Sequence, residues 1–384
     1  MLLAGFGFES KYTAPIDAAG HLRTPATSSA LAAATAATAT VLPSGESSSS
    51  SSSSAVALRR VAICVVLING HIKAHQVFDN AVKNDIDAEA FIDSVGVLRH
   101  AFDAHPSAVA ALDFVAIVDD IPAMRKHHQK LERFGWTVKY EQLPVRWNDI
   151  QEGFYKNALN TSGCCGITEL LKLNVFAMTA YDRVAVVDGD VLIGASLDEI
   201  WAAPLWLQLV YTRGQMVGEP FQGGLWAVTP SRDTLADMVS LVQRGAWYEG
   251  SGWERSNIGW VYGGPTVQGL MPYYFTKVAP VNASLPLSVC HYNNMGASER
   301  CSDTPVEQIR SFHFTGHCDK PFRCRGIGSG DSCRVFTDLW WQYSREIEKK
   351  NGFPERPRCK DGHYVPIGSL ADQQRHAQQL NMQL

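Results

Sequence analysis

The sequence of 384 residues lacks three features that would identify common classes of protein. No apolar run approaches the roughly 20 residues that a membrane-spanning helix needs, so we expect no transmembrane span. The net charge is −4 and no stripe of Lys and Arg is present, so we expect no nucleic-acid partner. No two cysteines form a Cys-x-x-Cys pair, which disfavours a zinc ribbon.

The amino terminus also lacks the pattern of a targeting segment. It reads MLLAGFGFESKYT, which is apolar but has no basic flank, and this is unlike a signal peptide. Residues 1–57 are rich in Ala, Ser and Thr and include an unbroken serine run, Ser47 to Ser54. Such a composition cannot bury enough apolar surface to fold, so we expect disorder there.

Cysteines are concentrated in the last quarter of the chain, which holds six of the nine. These six are Cys290, Cys301, Cys318, Cys324, Cys333 and Cys359. An even, clustered set favours disulfides formed in an oxidising compartment, and unrelated free thiols are the alternative. Two Asn-x-Ser sequons, at Asn160 and Asn282, agree with secretion. We therefore expect the secretory pathway or Golgi lumen, with the cytoplasm as the alternative because no signal anchor is visible.

From residue 58 onwards the hydrophobic pattern alternates between strand and helix. Strand patterns are found at 59–68, 112–120, 136–142, 183–187 and 223–231, and helical patterns at 75–83, 121–135, 168–179 and 231–245. The last helix has Ser231 as its N-cap and Gly245 just past its end. This alternation predicts an α/β fold with a mixed, mostly parallel sheet and helices on both faces. We expect one domain over 58–345 and a polar tail over 346–384.

Two carboxylates, Asp188 and Asp190, interrupt the apolar segment RVAVVDGDVLIG. Residues two apart in an extended chain point the same way, so both carboxylates can converge on one point. That point lies at the carboxyl end of a predicted parallel strand, where open α/β sheets bind ligands. Two converging carboxylates suit Mn²⁺ or Mg²⁺. The alternative is a hairpin turn, since Asp-Gly between apolar runs is a common hairpin signal.

Four segments, in chain order, resemble glycosyltransferase family 8, the group that includes glycogenin and galactinol synthase. The segments are TELLKLNVFAMTAYDRVAVVDGDVLIGASLDEIW, FQGGLWAVTPS, VQGLMPYYF and SFHFTGHCDKPF. They resemble the family's helix and Asp-x-Asp strand, its Asn-x-Gly strand, its Gln-Gly helix and its closing His-Phe-x-Gly-x-x-Lys-Pro-Trp motif. The resemblance implies a GT-A-type domain that transfers a hexosyl group from a UDP-sugar with retention of configuration and with Mn²⁺.

The resemblance also implies the roles of individual residues. The metal ligands would be Asp188, Asp190 and His313. Catalytic residues would be Asp188, Asp190, Lys172 and Gln268. Donor contacts would come from Asn69, Lys172, Asp188, Gly189, Asp190, Gln222, Gly223, His313, Gly316 and Lys320. From the sequence alone, a solvated lysine on a helix is an equally good interpretation of Lys172. A lone histidine such as His313 is more often a structural residue than a ligand.

The sequence departs from the family pattern at several positions. Val267 stands where the family has an acidic residue, and Gln222 stands where it has Asn. The first strand keeps Asn69 but lacks the Tyr of the family's uridine contact, and Phe322 replaces Trp. These departures motivate an alternative function, a catalytically inactive protein that binds a nucleotide sugar or carbohydrate. The donor sugar stays open, and so does the acceptor, which could be a carbohydrate, a lipid or a protein.

Aromatic residues are dense between the second and third of these segments, in GAWYEGSGWERSNIGWVYGG. Trp253, Trp260 and Tyr262 could stack on acceptor sugar rings. The alternative, which we favour at this stage, is packing of a loop onto the domain. Trp340 and Trp341 follow an apolar residue on a predicted helix and are expected in the core.

Overall fold

A computed structural model describes most of the chain after residue 57. The described residues are 58–68, 84–162, 165–214, 219–260, 263–296, 300–316, 318–326, 328, 330–353 and 355–368. The predicted disorder of residues 1–57, the predicted helix at 75–83, Asn69 and Tyr262 all lie outside these ranges.

A seven-stranded sheet organises the domain. Its strands, with the six that lie outside it, are β1 Arg59–Leu67, β2 Ala110–Asp119, β3 Thr137–Glu141, β4 Arg183–Val187, β5 Val191–Ile193, β6 Leu209–Thr212, β7 Gln222–Val228, β8 Trp247–Tyr248, β9 Gly252–Trp253, β10 Ser284–Leu287, β11 Ser311–His313, β12 Cys359–Lys360 and β13 His363–Tyr364. The order in the large sheet is β10-β6-β7-β4-β1-β2-β3. Only β7 runs antiparallel to its neighbours, β4 and β6, and the other pairs are parallel.

Helices cover both faces of this sheet. The α-helices are α1 Asn84–Ala104, α2 Pro122–Arg125, α3 His128–Arg133, α4 Gly153–Thr161, α5 Asp198–Ala202, α6 Arg232–Arg244, α7 Val267–Tyr273 and α8 Asp331–Lys350. The 3₁₀ helices are Trp147–Asp149, Gly166–Ala177, Val306–Gln308 and Pro321–Arg323, and a π-helical turn spans Tyr274–Val278. The mixed, mostly parallel α/β fold expected from the sequence is confirmed.

Alternate residues of β1 point into two separate apolar cores, as a strand buried on both sides requires. Val61, Ile63 and Val65 pack in the core shared with α1 and α8. Ala62 and Cys64 pack in the core shared with α4, α6, α7 and the long 3₁₀ helix. Since both faces are covered, the ends of the strands are where the sheet is open to ligands.

Helix α6 has the ends that its sequence predicts. The side chain of Ser231 accepts a hydrogen bond from the backbone N–H of Thr234 at 3.2 Å. Gly245 adopts the left-handed conformation with φ of 67°, and its N–H bonds to the carbonyl of Leu241. Trp340 and Trp341 are buried on α8, as expected.

Three helical segments differ from expectation. The 121–135 segment forms two short helices, because His127 turns inward between them and its Nδ1 lies 3.2 Å from Oε1 of Glu89. The 168–179 pattern forms a 3₁₀ helix rather than an α-helix. Helix α1 was not predicted, since Asp93 and Ser94 on its buried face interrupt the apolar pattern.

All six clustered cysteines are paired. The disulfides are Cys290–Cys301, Cys318–Cys333 and Cys324–Cys359. They agree with an oxidising compartment. Among the described residues, no helix combines the length and apolar character of a membrane span. The domain boundaries at 57 and 345 stay predictions; α8 crosses position 345, and Tyr364 beyond it is buried in the core.

Candidate active site

The Asp188–Asp190 segment lies between two strands that belong to different sheets. Strand β4 pairs with β1 and β7, whereas β5 pairs antiparallel with β11. Because β4 and β5 do not pair with each other, Asp188-Gly189-Asp190 is not the turn of a hairpin. It is the point at which the chain leaves the carboxyl end of a central strand, as the ligand hypothesis requires.

Gly189 is fixed by helix α1, which packs directly against it. A Cβ atom at Gly189 would lie 2.8 Å from the side chains of both Phe91 and Val95, so no larger residue fits there. The hydroxyl of Ser94 donates to the Gly189 carbonyl at 2.7 Å. These contacts hold the two flanking aspartates in place.

Strand β11 brings His313 to the two aspartates, although it lies more than a hundred residues further along the chain. One ligand atom each from Asp188, Asp190 and His313 can be chosen so that all three atoms lie within 4.8 Å of one another. The N–H of Phe314 bonds to the Asp190 carbonyl at 3.0 Å and fixes the register. Two carboxylates and an imidazole are a donor set that fits Mn²⁺ or a similar divalent cation.

Each carboxylate also contacts a lysine. Nζ of Lys172 lies 2.9 Å from Oδ1 of Asp188 and 3.0 Å from Oε2 of Glu169. Lys320 forms an ion pair with Asp190 and donates to the Phe314 carbonyl at 3.1 Å. Each of the two aspartates therefore has one lysine ammonium within ion-pair distance.

These contacts shift the protonation of the site. Burial alone would raise the pKa of Asp190, but the charges and hydrogen bonds of Lys320 and His313 hold that pKa well below its usual range. Burial would lower the pKa of Lys172, but Asp188 and Glu169 raise it above its usual range. Asp190 is therefore an anion and Lys172 a cation at neutral pH.

Gln268, Gln222 and Gly223 lie beside this cluster. A Cβ atom at Gly223 would be 3.6 Å from Cγ of Gln268 and 3.8 Å from Nζ of Lys172. Gln222, at the start of β7, accepts through Oε1 from the N–H of Gly224 at 2.6 Å. The structure thus brings Lys172, Gln268 and the first residues of β7 together.

Two residues expected to contact a donor remain, Gly316 and Asn69. Gly316 adopts φ of 66°, and a Cβ atom there would meet no atom within 4 Å, so its backbone is open to an approaching ligand. Asn69 falls outside the described residues.

Two residues near the site were missed by sequence reasoning. Glu169 precedes Lys172 by three residues, and this spacing on a helix was an available signal. Asn293 is fully buried, and its Nδ2 donates to Oε1 of Gln222 at 2.5 Å. No pattern in the sequence singles out Asn293. Its bond helps to fix the side-chain amide of Gln222.

No family model and no curated protein matches this sequence. Solved structures with a similar arrangement include glycosyltransferase GlyE of Streptococcus pneumoniae TIGR4, at 16% identity and a TM-score of 0.45 over 79% of this chain and 66% of GlyE. The bifunctional glycosyltransferase WbbM is 12% identical, with a TM-score of 0.46 over 76% of this chain and 51% of WbbM. The galactosyltransferase LgtC, solved with donor and acceptor sugar analogues, is 12% identical, with a TM-score of 0.39 over 78% and 97%.

All three of these proteins are glycosyltransferases. The present chain spans about two thirds of the length of GlyE and about half of WbbM. At these identities and scores, the similarity assigns neither an activity nor a substrate to this chain.

Proposed function

We propose that this protein is a GT-A-type glycosyltransferase of family 8 that moves a hexosyl group from a UDP-sugar to an acceptor, with Mn²⁺ and with retention of configuration. The observation that carries the proposal is the convergence of Asp188, Asp190 and His313 at the end of a central strand, flanked by Lys172 and Lys320. A divalent cation and a diphosphate together match this combination of acidic ligands and adjacent positive charge.

In this proposal the protein side chains bind and orient the donor. Asp188, Asp190 and His313 would hold the cation, which neutralises the charge that develops on the departing diphosphate. Lys320 supplies a point charge for a phosphate oxygen, and the open backbone at Gly316 permits close approach of the diphosphate. Lys172 and Gln268 lie on the side of Gly223 and would orient the sugar. Departure and attack on the same face need no nucleophilic side chain.

The proposal also includes a location. Three disulfides among the described residues favour the lumen of the secretory pathway, and we include the Golgi lumen as the proposed site of action. Staining of the tagged chain in fixed cells, with and without permeabilisation of internal membranes, tests this part separately from the activity.

A UDP-release assay on the purified protein tests the activity. The assay is run with UDP-glucose, UDP-galactose, UDP-glucuronate and UDP-N-acetylglucosamine, each with Mn²⁺ and with a chelator. We expect slow, Mn²⁺-dependent hydrolysis of one donor. Isothermal calorimetry of UDP with and without Mn²⁺ is run on the same sample. Mn²⁺-dependent UDP binding without turnover of any donor, even with sugar acceptors added, would favour the inactive binding protein instead, and absence of both would reject the proposal.

A further inference from the structure

A pocket lies next to Gln268 and is lined largely by aromatic and small residues. Its volume is about 530 Å³, which is within the usual range of small-molecule sites. Phe154 of α4, Trp247 of β8 and Trp260 form its aromatic walls. Phe154 is 52% exposed and Trp260 is 37% exposed, values that are high for large apolar side chains.

The walls of this pocket are held rigidly. The rings of Phe154 and Trp247 stack at an angle of 17°, with their centroids 6.4 Å apart. The indole N–H of Trp247 donates to the Gly259 carbonyl at 2.7 Å. Pro265 also lines the pocket, and its carbonyl accepts a hydrogen bond from the hydroxyl of Tyr155 at 2.8 Å. A rigid aromatic surface loses little entropy when a ligand binds to it.

Gln268 connects the pocket to the candidate active site. Gly263 lines the pocket, and a Cβ atom there would lie 2.5 Å from Nε2 of Gln268. On its other side Gln268 lies close to Gly223, which in turn adjoins the ammonium of Lys172. A molecule in the pocket would therefore be separated from the Lys172–Asp188 pair by one side chain.

The polar groups of the pocket define the chemistry of its ligand. Asn157 offers an amide, and the Thr161 hydroxyl, which donates to the carbonyl of Asn157 at 3.1 Å, can still accept a hydrogen bond from a sugar hydroxyl. Of the described residues that line the pocket, Glu249 is the one charged side chain. Aromatic faces bind the apolar C–H face of a sugar ring, and a single carboxylate disfavours a ligand of negative charge.

We propose that this pocket is the acceptor subsite and that the acceptor is a neutral glycan, one ring of which stacks on Trp260 or on the Phe154–Trp247 wall. This inference rests on the proposed function, since it uses the nearby donor site to assign the pocket's role. It deepens that function by choosing a carbohydrate over a lipid or a protein acceptor. Trp253, in contrast, is fully buried in the core, and Trp247 is only 6% exposed, so a ligand would meet the Phe154–Trp247 wall mainly at Phe154.

Saturation-transfer NMR and fluorescence titration of the full chain test the proposal. The probes are lactose, cellobiose and xylobiose, with glucuronate as an anionic comparison. We expect at least one neutral disaccharide to bind and glucuronate to bind more weakly. Trp260→Ala and Phe154→Ala should each weaken binding of that disaccharide about tenfold, whereas Trp260→Phe should retain most of it.

Trp206→Ala is the matched control, because Trp206 is 66% exposed and the carbonyl of the next residue, Leu207, accepts a hydrogen bond from Arg183, at the opposite end of β4 from Asp188. This variant should bind the disaccharide like wild type. Thermal unfolding of each variant identifies any that fails to fold. Calorimetry of UDP with Mn²⁺ is repeated on all variants and should be unchanged.

Each outcome decides the proposal. Equal affinity of wild type, Trp260→Ala and Phe154→Ala for the disaccharide would overturn it. Binding of UDP with Mn²⁺ but of no neutral probe at millimolar concentration would also overturn it and leave the proposed function standing. Binding of a neutral probe that depends on Trp260, without UDP binding, would retain a glycan site and reject the proposed function.

Discussion

Two clusters of buried charged residues in this protein contain similar residue types but have different roles. The site cluster consists of Glu169, Lys172, Asp188, Asp190, His313 and Lys320. The α1 cluster consists of Glu89, Asp93, His127, Lys130, Glu348, Arg356 and Tyr364. In each cluster a lysine lies between two carboxylates, and a histidine contacts a carboxylate.

The clearest difference is between Asp93 of the α1 cluster and the two aspartates of the site cluster. In the α1 cluster Asp93 is fully buried, and its Oδ2 accepts from the Tyr364 hydroxyl at 3.1 Å and from the N–H of Ile367 at 2.7 Å. In the site cluster the side chains of Asp188 and Asp190 are 18% and 13% exposed. Residue type alone therefore does not identify a site. Asp188 and Asp190 are distinguished by ligand atoms that converge with one from His313 to within 4.8 Å of one another.

The largest effect is expected from Asp190→Asn. The substitution replaces an anionic carboxylate ligand with a neutral amide and removes one negative charge from the metal site, so Mn²⁺-dependent UDP release should fall about 10³-fold. Steady-state UDP release measures it, and urea unfolding confirms that the variant is folded. A folded Asp190→Asn protein that turns over close to the wild-type rate would contradict the assignment of the site cluster and remove the contrast between the two clusters.

The matching change in the α1 cluster is Asp93→Asn, which should affect stability instead of activity. It places an amide N–H₂ opposite Lys130, whose Nζ lies 2.7 Å from Oδ1 of Asp93. This N–H₂ group faces the Lys130 ammonium, or the N–H of Ile367 if the amide is turned over, and the unmade hydrogen bond should cost about 2 kcal/mol in the free energy of unfolding. Urea unfolding measures this cost, and kcat per folded molecule should be unchanged.

An unfolding curve of Asp93→Asn that matched wild type would show that Asp93 carries its own proton in the folded state. Burial does raise the pKa of this carboxyl above its usual range. The ion pair with Lys130 opposes that shift. The measurement therefore decides whether the α1 cluster is a network of charges or of neutral hydrogen bonds.

How well the sequence predicts a feature depends on how far apart in the chain the residues that determine it lie. Local patterns were sufficient for strands β1 to β4 and β7, for the Ser231 and Gly245 caps of α6 and for the approach of Asp188 to Asp190. The antiparallel direction of β7 and the pairing of β5 with β11 depend on contacts between distant parts of the chain. Family resemblance proposed His313 as a ligand, but spacing alone would not have found it.

Asn293 and the α1 cluster escaped prediction for the same reason. The hydrogen bonds that they do make go to residues far away in sequence, as when Tyr364 bonds to Asp93. A polar residue that is buried in this way looks like a surface residue in the sequence, because only tertiary packing supplies its partners. For this reason the charged residues of α1 gave no indication in the sequence that this helix is buried.

A smaller effect is expected from removing the Cys318–Cys333 disulfide with serines. This bond closes a separation of 15 residues and ties the segment before Lys320 to α8. Stability should fall by about 2 kcal/mol because the unfolded chain gains freedom. The KM for the donor should also rise, since Lys320 is less firmly placed. Urea unfolding and donor titrations measure the two effects.

The control for this change is the pair Cys290→Ser with Cys301→Ser, which opens a disulfide of 11-residue separation. It should lower stability but leave the donor KM close to that of wild type. An equal rise in KM for both disulfide variants would mean that general loosening of the cysteine-rich region, rather than the position of Lys320, controls donor affinity.

The smallest effect is a change in how stability depends on pH, caused by Glu89→Gln in the α1 cluster. The hydrogen bond from His127, aided by the charge of Lys130, lowers the pKa of Glu89 from 4.5 to about 2, although burial opposes the shift. A depressed pKa means that the carboxylate stabilises the fold above pH 4.5 and that this contribution is lost as the pH falls towards 2. Glu89→Gln should therefore be less stable than wild type at neutral pH, and its stability should change less between pH 4.5 and 2.

Asp93→Asn tests the sign of this effect, because burial raises the pKa of Asp93 instead of lowering it. A raised carboxyl pKa favours the folded state at low pH and disfavours it as the pH rises above 3.8. Urea unfolding across pH 2 to 7 should thus show that, as the pH rises, the stability difference from wild type grows for Glu89→Gln and shrinks for Asp93→Asn. Changes of the same sign would mean that Lys130 couples the two carboxyls into one titrating unit, and the α1 cluster would then resemble the site cluster more closely than its burial indicates.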